Sequence, residues 1–157
     1  MKHTISILVE NRFGVLARVA GLFSARGYNI DSLAVSETQD SSISRMTIVV
    51  NAEDEKILEQ IKKQLNKLID VITVIDFTKK EYIERELIFV KVVIDKKSLP
   101  QLKKIIDKEK AMVLEKREDC IILELAGDQE HIKVFLGELK DFKVLELVRS
   151  GRVAIAK

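Results

Sequence analysis

The sequence has too few cysteines and histidines for the commoner kinds of catalytic or metal-binding site. It contains one cysteine and two histidines among 157 residues. The histidines, His3 and His131, are far apart, and no pair has metal-ligand spacing. Each is therefore expected to be a surface or hydrogen-bonded side chain rather than a general base. Cys120 lies in an apolar run, which indicates a buried thiol. A single cysteine cannot form an internal disulfide, which fits a cytoplasmic location.

Several other signals are also missing. No apolar stretch approaches the roughly 20 residues needed to cross a bilayer, and the first strand lacks a signal-peptide cleavage site. A net charge of +2 gives no indication of a nucleic-acid or membrane partner. There is no glycine-rich phosphate loop. Because paired carboxylates from distant segments cannot be recognised in a sequence, a small stand-alone enzyme remains an alternative.

The first half of the chain contains six predicted elements in the order β-α-β-β-α-β. Apolar residues alternate over residues 3–9 and then recur at three- and four-residue steps over 15–26, which predicts a strand followed by a helix. Strands at 28–38 and 43–51, a helix at 53–67 and a strand at 71–77 complete the unit. This order is the split βαβ pattern of ferredoxin-like folds, with four antiparallel strands and both helices on one face.

The same order appears again after the charged segment 78–85, which is predicted to be a linker. The pattern predicts strands at 86–95, 112–116, 120–126 and 144–156, with helices following Ser98 and Asp128. We therefore expect an α+β chain with two ferredoxin-like βαββαβ domains, at residues 1–78 and 79–157. Domains of this size bury only about 60% of their unfolded surface, so we also expect at least a dimer.

The same topology occurs in RNA-recognition domains, which stack bases on aromatic side chains of the two central strands. Here those strands are predicted at residues 3–10 and 43–51, and neither contains Phe, Tyr or Trp. RNA binding is therefore disfavoured.

The turn between the first strand and the first helix is the best candidate binding site. It contains Asn11 and Gly14, which tolerate the backbone angles of a tight loop. A helix that starts directly after a turn points its first free N–H groups at that turn, where a carboxylate or phosphate can bind. Taken alone, these residues also fit an ordinary turn, as does Asn29 after a helix stop at Gly27.

Longer stretches add a resemblance to a known family. Residues 9–19 (VENRFGVLARV) resemble the opening of an ACT domain, the amino-acid-sensing module of many biosynthetic enzymes. Residues 21–33 (GLFSARGYNIDSL), 44–49 and 60–71 resemble the small, regulatory subunit of acetolactate synthase, also called acetohydroxyacid synthase. Residues 84–87, 90–92 and 149–154 are similar to its second domain. The resemblance covers nearly the whole chain.

This resemblance implies a noncatalytic subunit that activates the large catalytic subunit and makes it sensitive to end-product inhibition, usually by valine. Thiamine diphosphate, magnesium and FAD would belong to that partner, and no cofactor or metal to this chain. The family also implies a homodimer through paired ACT domains, with effector sites at their interface. The matching positions are Asn11, Gly14, Val15 and Leu16 on the loop and helix start, with Asn29 and Ile30 from the paired subunit.

Each implied role has a physical reason. The N–H groups near Val15 and Leu16 would bind the effector carboxylate at the positive helix end, and Gly14 would let the backbone approach closely. Asn29 can face both an ammonium and a carboxylate. Asn11 would fix the loop or accept a hydrogen bond from the ammonium, and Ile30 would meet the isopropyl group.

One residue departs from the family pattern and leaves alternatives open. Phe13 stands where many relatives have proline or a small residue, and its ring would lie at the rim of the pocket. Leucine or isoleucine could therefore replace valine as the effector. A second alternative is an ACT-type regulator of a different enzyme or of a transcription factor.

Overall fold

The computed structural model describes residues 2–51 and 55–157. The chain forms two compact units. The first contains the residues up to Ile83 together with Arg152–Lys157, and the second contains Glu84–Gly151. The predicted boundary between residues 78 and 79 lies a few residues before this division. The last six residues, which were placed in the second predicted domain, are grouped with the first unit.

The first unit is a four-stranded antiparallel sheet with two helices. Its sheet has the strand order β2-β3-β1-β4, so that β2 and β4 are the edge strands. The elements are β1 (Lys2–Glu10), α1 (Val15–Ser24), β2 (Ile30–Glu37), β3 (Ile43–Asn51), α2 (Glu55–Leu65) and β4 (Val71–Asp76).

Both helices cover the same face of this sheet because alternate strand residues point to one side. The apolar stripes of α1 and α2 pack on this row of strand side chains, and the resulting core excludes water almost completely. Its buried members are Ile5, Ile7, Val9, Val15, Val19, Leu22, Phe23, Met46, Ile48, Val50, Leu58, Ile61 and Leu65.

The second unit repeats this arrangement. Its strand order, β6-β7-β5-β8, matches that of the first unit position by position. The elements are β5 (Tyr82–Val93), α3 (Leu99–Glu109), β6 (Met112–Lys116), β7 (Cys120–Gly127), α4 (Gln129–Glu138) with a 3-10 turn at Leu139–Asp141, and β8 (Val144–Arg149). A final strand, β9 (Val153–Ala156), pairs with β5, the strand along which the chain passes from the first unit to the second.

In the second unit, α3 and α4 begin directly after Ser98 and Asp128, as predicted. The carboxylate of Asp128 accepts a hydrogen bond from the amide of His131 at 2.9 Å and so caps α4. Ser98 precedes α3, with Pro100 in the first turn, but the Ser98 side chain makes no cap bond. Instead, hydrogen bonds from the amides of Ser98 and Lys97 hold the pKa of Asp95 below its usual range.

The α+β fold class with two βαββαβ units is confirmed. The predicted linker over residues 78–85 is wrong in its second half, because β5 begins at Tyr82. The ring of Tyr82 stacks on Phe77 with centroids 4.7 Å apart, and partly buried side chains alternate with exposed ones along the charged segment. The predicted start of α2 near residue 53 lies outside the described residues.

Candidate functional site

The turn after β1 adopts the conformation that its glycine permits. Gly14 directly precedes α1 with a φ of 82°, in the left-handed region that favours glycine. A Cβ added there would lie 3.0 Å from Nη1 of Arg18. The turn therefore needs glycine for its backbone angle, and a side chain at this position would meet Arg18.

Asn11 anchors this turn to the hairpin between β2 and β3. Its side-chain Nδ2 donates to the carbonyl of Ser41 at 2.8 Å, and its backbone amide donates to the carbonyl of Ser42 at 2.7 Å. The hairpin is itself ordered by Asp40, whose pKa is held below its usual range by hydrogen bonds from the hydroxyl and the amide of Ser42. In this structure Asn11 fixes the loop, which was one of its two predicted roles.

The first turn of α1 leaves backbone donors available. Val15 makes one long contact, 3.4 Å from its amide to the carbonyl of Arg12. Across residues 2–51 and 55–157, the amides of Leu16 and Ala17 have no backbone or side-chain acceptor. No acidic side chain lies in this first turn. These donors lie at the positive end of the helix dipole, where an anion would be favoured.

The side chains around these amides differ strongly in exposure. Val15 is buried in the core with 2% of its surface exposed, whereas Leu16 is 45% exposed. Phe13 is fully exposed beside them. Leu16 and Phe13 thus offer apolar surface next to the amides, and Val15 fixes the helix to the sheet.

Arg18 is a further residue of this site that the sequence interpretation missed. Its Nε lies 2.8 Å from Oδ2 of Asp70, a carboxylate that is almost fully buried, and its guanidinium reaches back to Gly14. The carbonyl of Asp70 also accepts a hydrogen bond from the amide of Glu10 at 2.9 Å, at the end of β1. The four-residue spacing from Gly14 to Arg18 was the one available signal, because such residues share a helix face.

Asn29 and Ile30 lie at the other end of the sheet. Ile30 and His3 both pair with Val50, whereas the turn follows Glu10 at the far end of β1. At roughly 3.3 Å per strand residue, seven residues from His3 to Glu10 separate the two groups by about 23 Å. One chain therefore brings together Asn11, Gly14, Val15 and Leu16, but not Asn29 and Ile30.

The side chain of Asn29 is exposed and held in place from its own strand. Its Nδ2 donates to Oδ1 of Asp31 at 2.8 Å, and the other carboxylate oxygen of Asp31 lies 3.3 Å from Nζ of Lys2. This short network orients the Asn29 amide at the start of the edge strand β2.

The two histidines contact polar side chains of the protein itself, and the cysteine is buried. Nδ1 of His3, a buried residue, lies 3.0 Å from Oγ1 of Thr78, and Nε2 of His131 lies 3.1 Å from a carboxylate oxygen of Glu109. Cys120 is buried, as its apolar run predicted. Among the described residues, no group of three His, Cys, Asp or Glu side chains is placed to hold a metal ion.

Two family models match successive parts of the chain. Residues 5–73 match the family described as AHAS small subunit-like ACT domain, and residues 85–157 match the small subunit of acetolactate synthase. Within the part of the chain that the structure describes, no helix has both the length and the apolar character needed to cross a membrane.

Individual relatives match along the full length. The chain is 42% identical over 157 residues to the probable acetolactate synthase small subunit of Archaeoglobus fulgidus, covering 100% of this chain and 98% of the relative. It is 39% identical over 157 residues to the acetolactate synthase small subunit of Bacillus subtilis, covering 100% and 91%. The crystal structure of the acetolactate synthase small subunit from Thermotoga maritima superposes with a TM-score of 0.90 at 31% identity, covering 100% of this chain and 98% of that one. The chain therefore belongs to the family of acetolactate synthase small subunits, and its amino-terminal half is an ACT domain.

Proposed function

We propose that this chain is the noncatalytic regulatory subunit of an acetolactate synthase in branched-chain amino acid biosynthesis. It activates the large catalytic subunit and confers feedback inhibition by a branched-chain amino acid, with valine as the first candidate. The observation that carries this proposal is the open first turn of α1, where Gly14 leaves the amides of Leu16 and Ala17 accessible. The cytoplasm, where acetolactate synthase substrates are soluble metabolites, is the proposed location.

The turn suits the carboxylate of a free amino acid. The two amides would donate to it at the positive end of the helix, and the guanidinium of Arg18, although paired with Asp70, lies close to Gly14. Hydrogen bonds to a charged group contribute about 1.5–3 kcal/mol each. A regulatory ligand with micromolar to millimolar affinity needs only about 4–8 kcal/mol in total. Two such bonds with modest apolar burial are sufficient.

A second copy would complete the site. Asn29 and Ile30 lie about 23 Å along the sheet from the turn of their own chain, which is too far for one amino acid to contact both groups. They stand at the start of β2, an edge strand in which no residue is fully buried. In a homodimer through the ACT domains, the Asn29 amide of one copy would face the ammonium and carboxylate bound at the turn of the other. Ile30 would contact the branched side chain.

Regulation then follows from a shift between two arrangements of the paired ACT domains. The effector stabilises the arrangement to which it binds more tightly, and a differential affinity of about 1–3 kcal/mol is typical of such coupling. That arrangement holds the catalytic subunit in a less active state. Thiamine diphosphate, magnesium and FAD are assigned to the catalytic partner and not to this chain.

Reconstitution with the cognate large subunit is the direct test. Activity is measured with and without this chain, and then with valine, leucine, isoleucine and alanine as an unbranched control. We expect activation by the chain and inhibition by at least one branched-chain amino acid. Calorimetry on the chain alone should show binding of the same amino acid. Effector binding without any activation of the large subunit would instead favour the alternative, an ACT regulator of a different enzyme or a transcription factor.

A further inference from the structure

The segment that follows the second unit returns to the ACT sheet through Arg152. The amide of Arg152 donates to Oγ of Ser32 on β2 at 3.0 Å. Its Nη1 donates to Oγ1 of Thr4 on β1, also at 3.0 Å. Thr4 is 3% exposed, so this hydroxyl is protected from water. One residue thus bonds two strands of the first unit at once.

The strands that Arg152 joins are not neighbours. β3 lies between them, and Val49 of β3 is directly opposite both Thr4 and Ser32. Strands are spaced about 4.8 Å apart, so the two hydroxyls are separated by roughly 10 Å on the sheet face away from the helices. The backbone and the extended side chain of Arg152 span this distance. The contact therefore ties the edge strand to the centre of the sheet.

Ser32, the residue of the edge strand to which Arg152 bonds, lies close to Asn29 and Ile30 in the sequence. The pairing of β2 with β3 shifts register between Ile30 and Ser32, which marks a β-bulge. A bulge leaves a residue outside the regular ladder and re-aims the neighbouring side chains. Asn29 and Ile30 precede this bulge, and the Asn29 amide bonds to Asp31 within it. Ser32 is thus the first residue after the bulge that is paired with β3, and it also accepts the hydrogen bond from Arg152.

We infer that Arg152 is a positioning residue for the Asn29 and Ile30 half of the effector site. Its backbone amide holds Ser32 beside the bulge, and its guanidinium bonds to the buried Thr4 on the central strand β1. Arg152 is the first of the six final residues that are grouped with the first unit. This inference rests on the proposed effector binding.

Arg152→Met removes the guanidinium, and with it the hydrogen bond to Thr4, but keeps the aliphatic stem and the backbone bond to Ser32. In the full-length chain we expect valine, or whichever branched-chain amino acid binds, to bind about fivefold to tenfold more weakly, as the loss of one preorganising bond predicts. Hydrogen exchange should become faster at the amides of residues 29–33 and stay unchanged in the turn at residues 11–16. The matched control is Lys157→Met, at the end of the same segment, where the ion pair with Glu81 is exposed and 3.4 Å long. This control should keep the wild-type dissociation constant.

A double-mutant comparison separates positioning from general stability. If Arg152 acts through Asn29, then Arg152→Met should have no further effect on effector binding in an Asn29→Ala background. Thr4→Val removes the same bond from the other side and should reproduce the single effect, which also provides the test if Arg152→Met does not fold. Wild-type binding by both Arg152→Met and Thr4→Val overturns this inference. Absence of effector binding by the wild-type chain overturns the proposed function instead.

Discussion

Replacing Gly14 with aspartate should remove feedback inhibition without unfolding the ACT domain. The new carboxylate would stand at the turn where the effector carboxylate is proposed to bind. It would lie next to the free amides of Leu16 and Ala17 and within reach of Arg18. The variant would thus carry its own anion at the positive helix end and repel a second one.

The structure allows the size of both effects to be estimated. A non-glycine residue at φ 82° costs about 1–2 kcal/mol, and aspartate is among the residues that tolerate this region best. The close contact of the new Cβ is with the tip of Arg18, a half-exposed and flexible side chain that can move. A negative charge at the helix start returns about 0.3–1 kcal/mol. The net loss of stability is about 1 kcal/mol, whereas two lost charge-assisted bonds weaken binding by about 3–6 kcal/mol, or more than 100-fold.

Calorimetry and thermal denaturation measure these two quantities separately. We expect no measurable effector binding by Gly14→Asp and a melting temperature lowered by about 2–4 °C. Gly27→Asp is the stability control, because Gly27 has a φ of 71° and open space around its Cβ position. It should show a similar thermal shift. If Gly14→Asp still bound the effector with wild-type affinity, the assignment of the carboxylate to this turn would be refuted.

Mixing variants tests whether two chains share one site. Gly14→Asp disables the turn, and Asn29→Ala disables the other half. A heterodimer of the two variants has one site in which both halves are altered and one in which both are intact. Random mixing should therefore restore about a quarter of the wild-type binding sites. No recovery in a mixture shown to contain heterodimers would mean that each site is built within one chain.

Three further predictions concern stability. Asp70→Asn should lower the free energy of unfolding of the first unit by about 1–2 kcal/mol, because it removes the charge that holds Arg18, and thermal denaturation measures this loss. Burial raises the pKa of Asp76, but hydrogen bonds from Thr78 and the nearby charge of Lys62 together outweigh it and leave that pKa below its usual range. This carboxylate therefore stabilises the fold above about pH 4 and less as the pH falls further, so Asp76→Asn should destabilise the chain in urea more at pH 7 than at pH 3. Phe135→Ala should cost the second unit about 3–5 kcal/mol in urea unfolding, since the ring is completely buried.

The fold was predictable where one periodicity dominated a segment. Alternation at Ile5, Ile7 and Val9 identified β1 and its buried face, and the change of period after Gly14 located α1. The same reasoning failed at residues 82–85. There the charged side chains suggested a linker, but β5 begins at Tyr82, whose ring stacks on Phe77, and the alternate positions are only partly buried. Such a tertiary contact leaves no periodic signal.

The candidate site was predictable only in its local parts. The glycine and the helix start lie within a few residues of each other, so their geometry follows from sequence spacing. The partners of Arg18 and Ser32 are Asp70 and Arg152, which are 52 and 120 positions away. Which of many charged residues meets a given arginine depends on strand order and register, and these were fixed only by the structure.

Because the two halves of the proposed site lie at opposite ends of β1, effector binding and pairing of the chains must be linked. A ligand that contacts both halves binds only the pair, so it stabilises the pair by mass action, and the apparent affinity rises with protein concentration. In the proposed site, the amides of Leu16 and Ala17 would donate to the carboxylate, whereas Asn29 and Ile30, beside the bulge held by Arg152, would contact the ammonium and the side chain. Gly14→Asp, which acts on the carboxylate position, should therefore weaken the binding of all amino acids alike. Substitutions of Ile30 should instead change which amino acid is preferred, because Ile30 is proposed to contact the branched side chain.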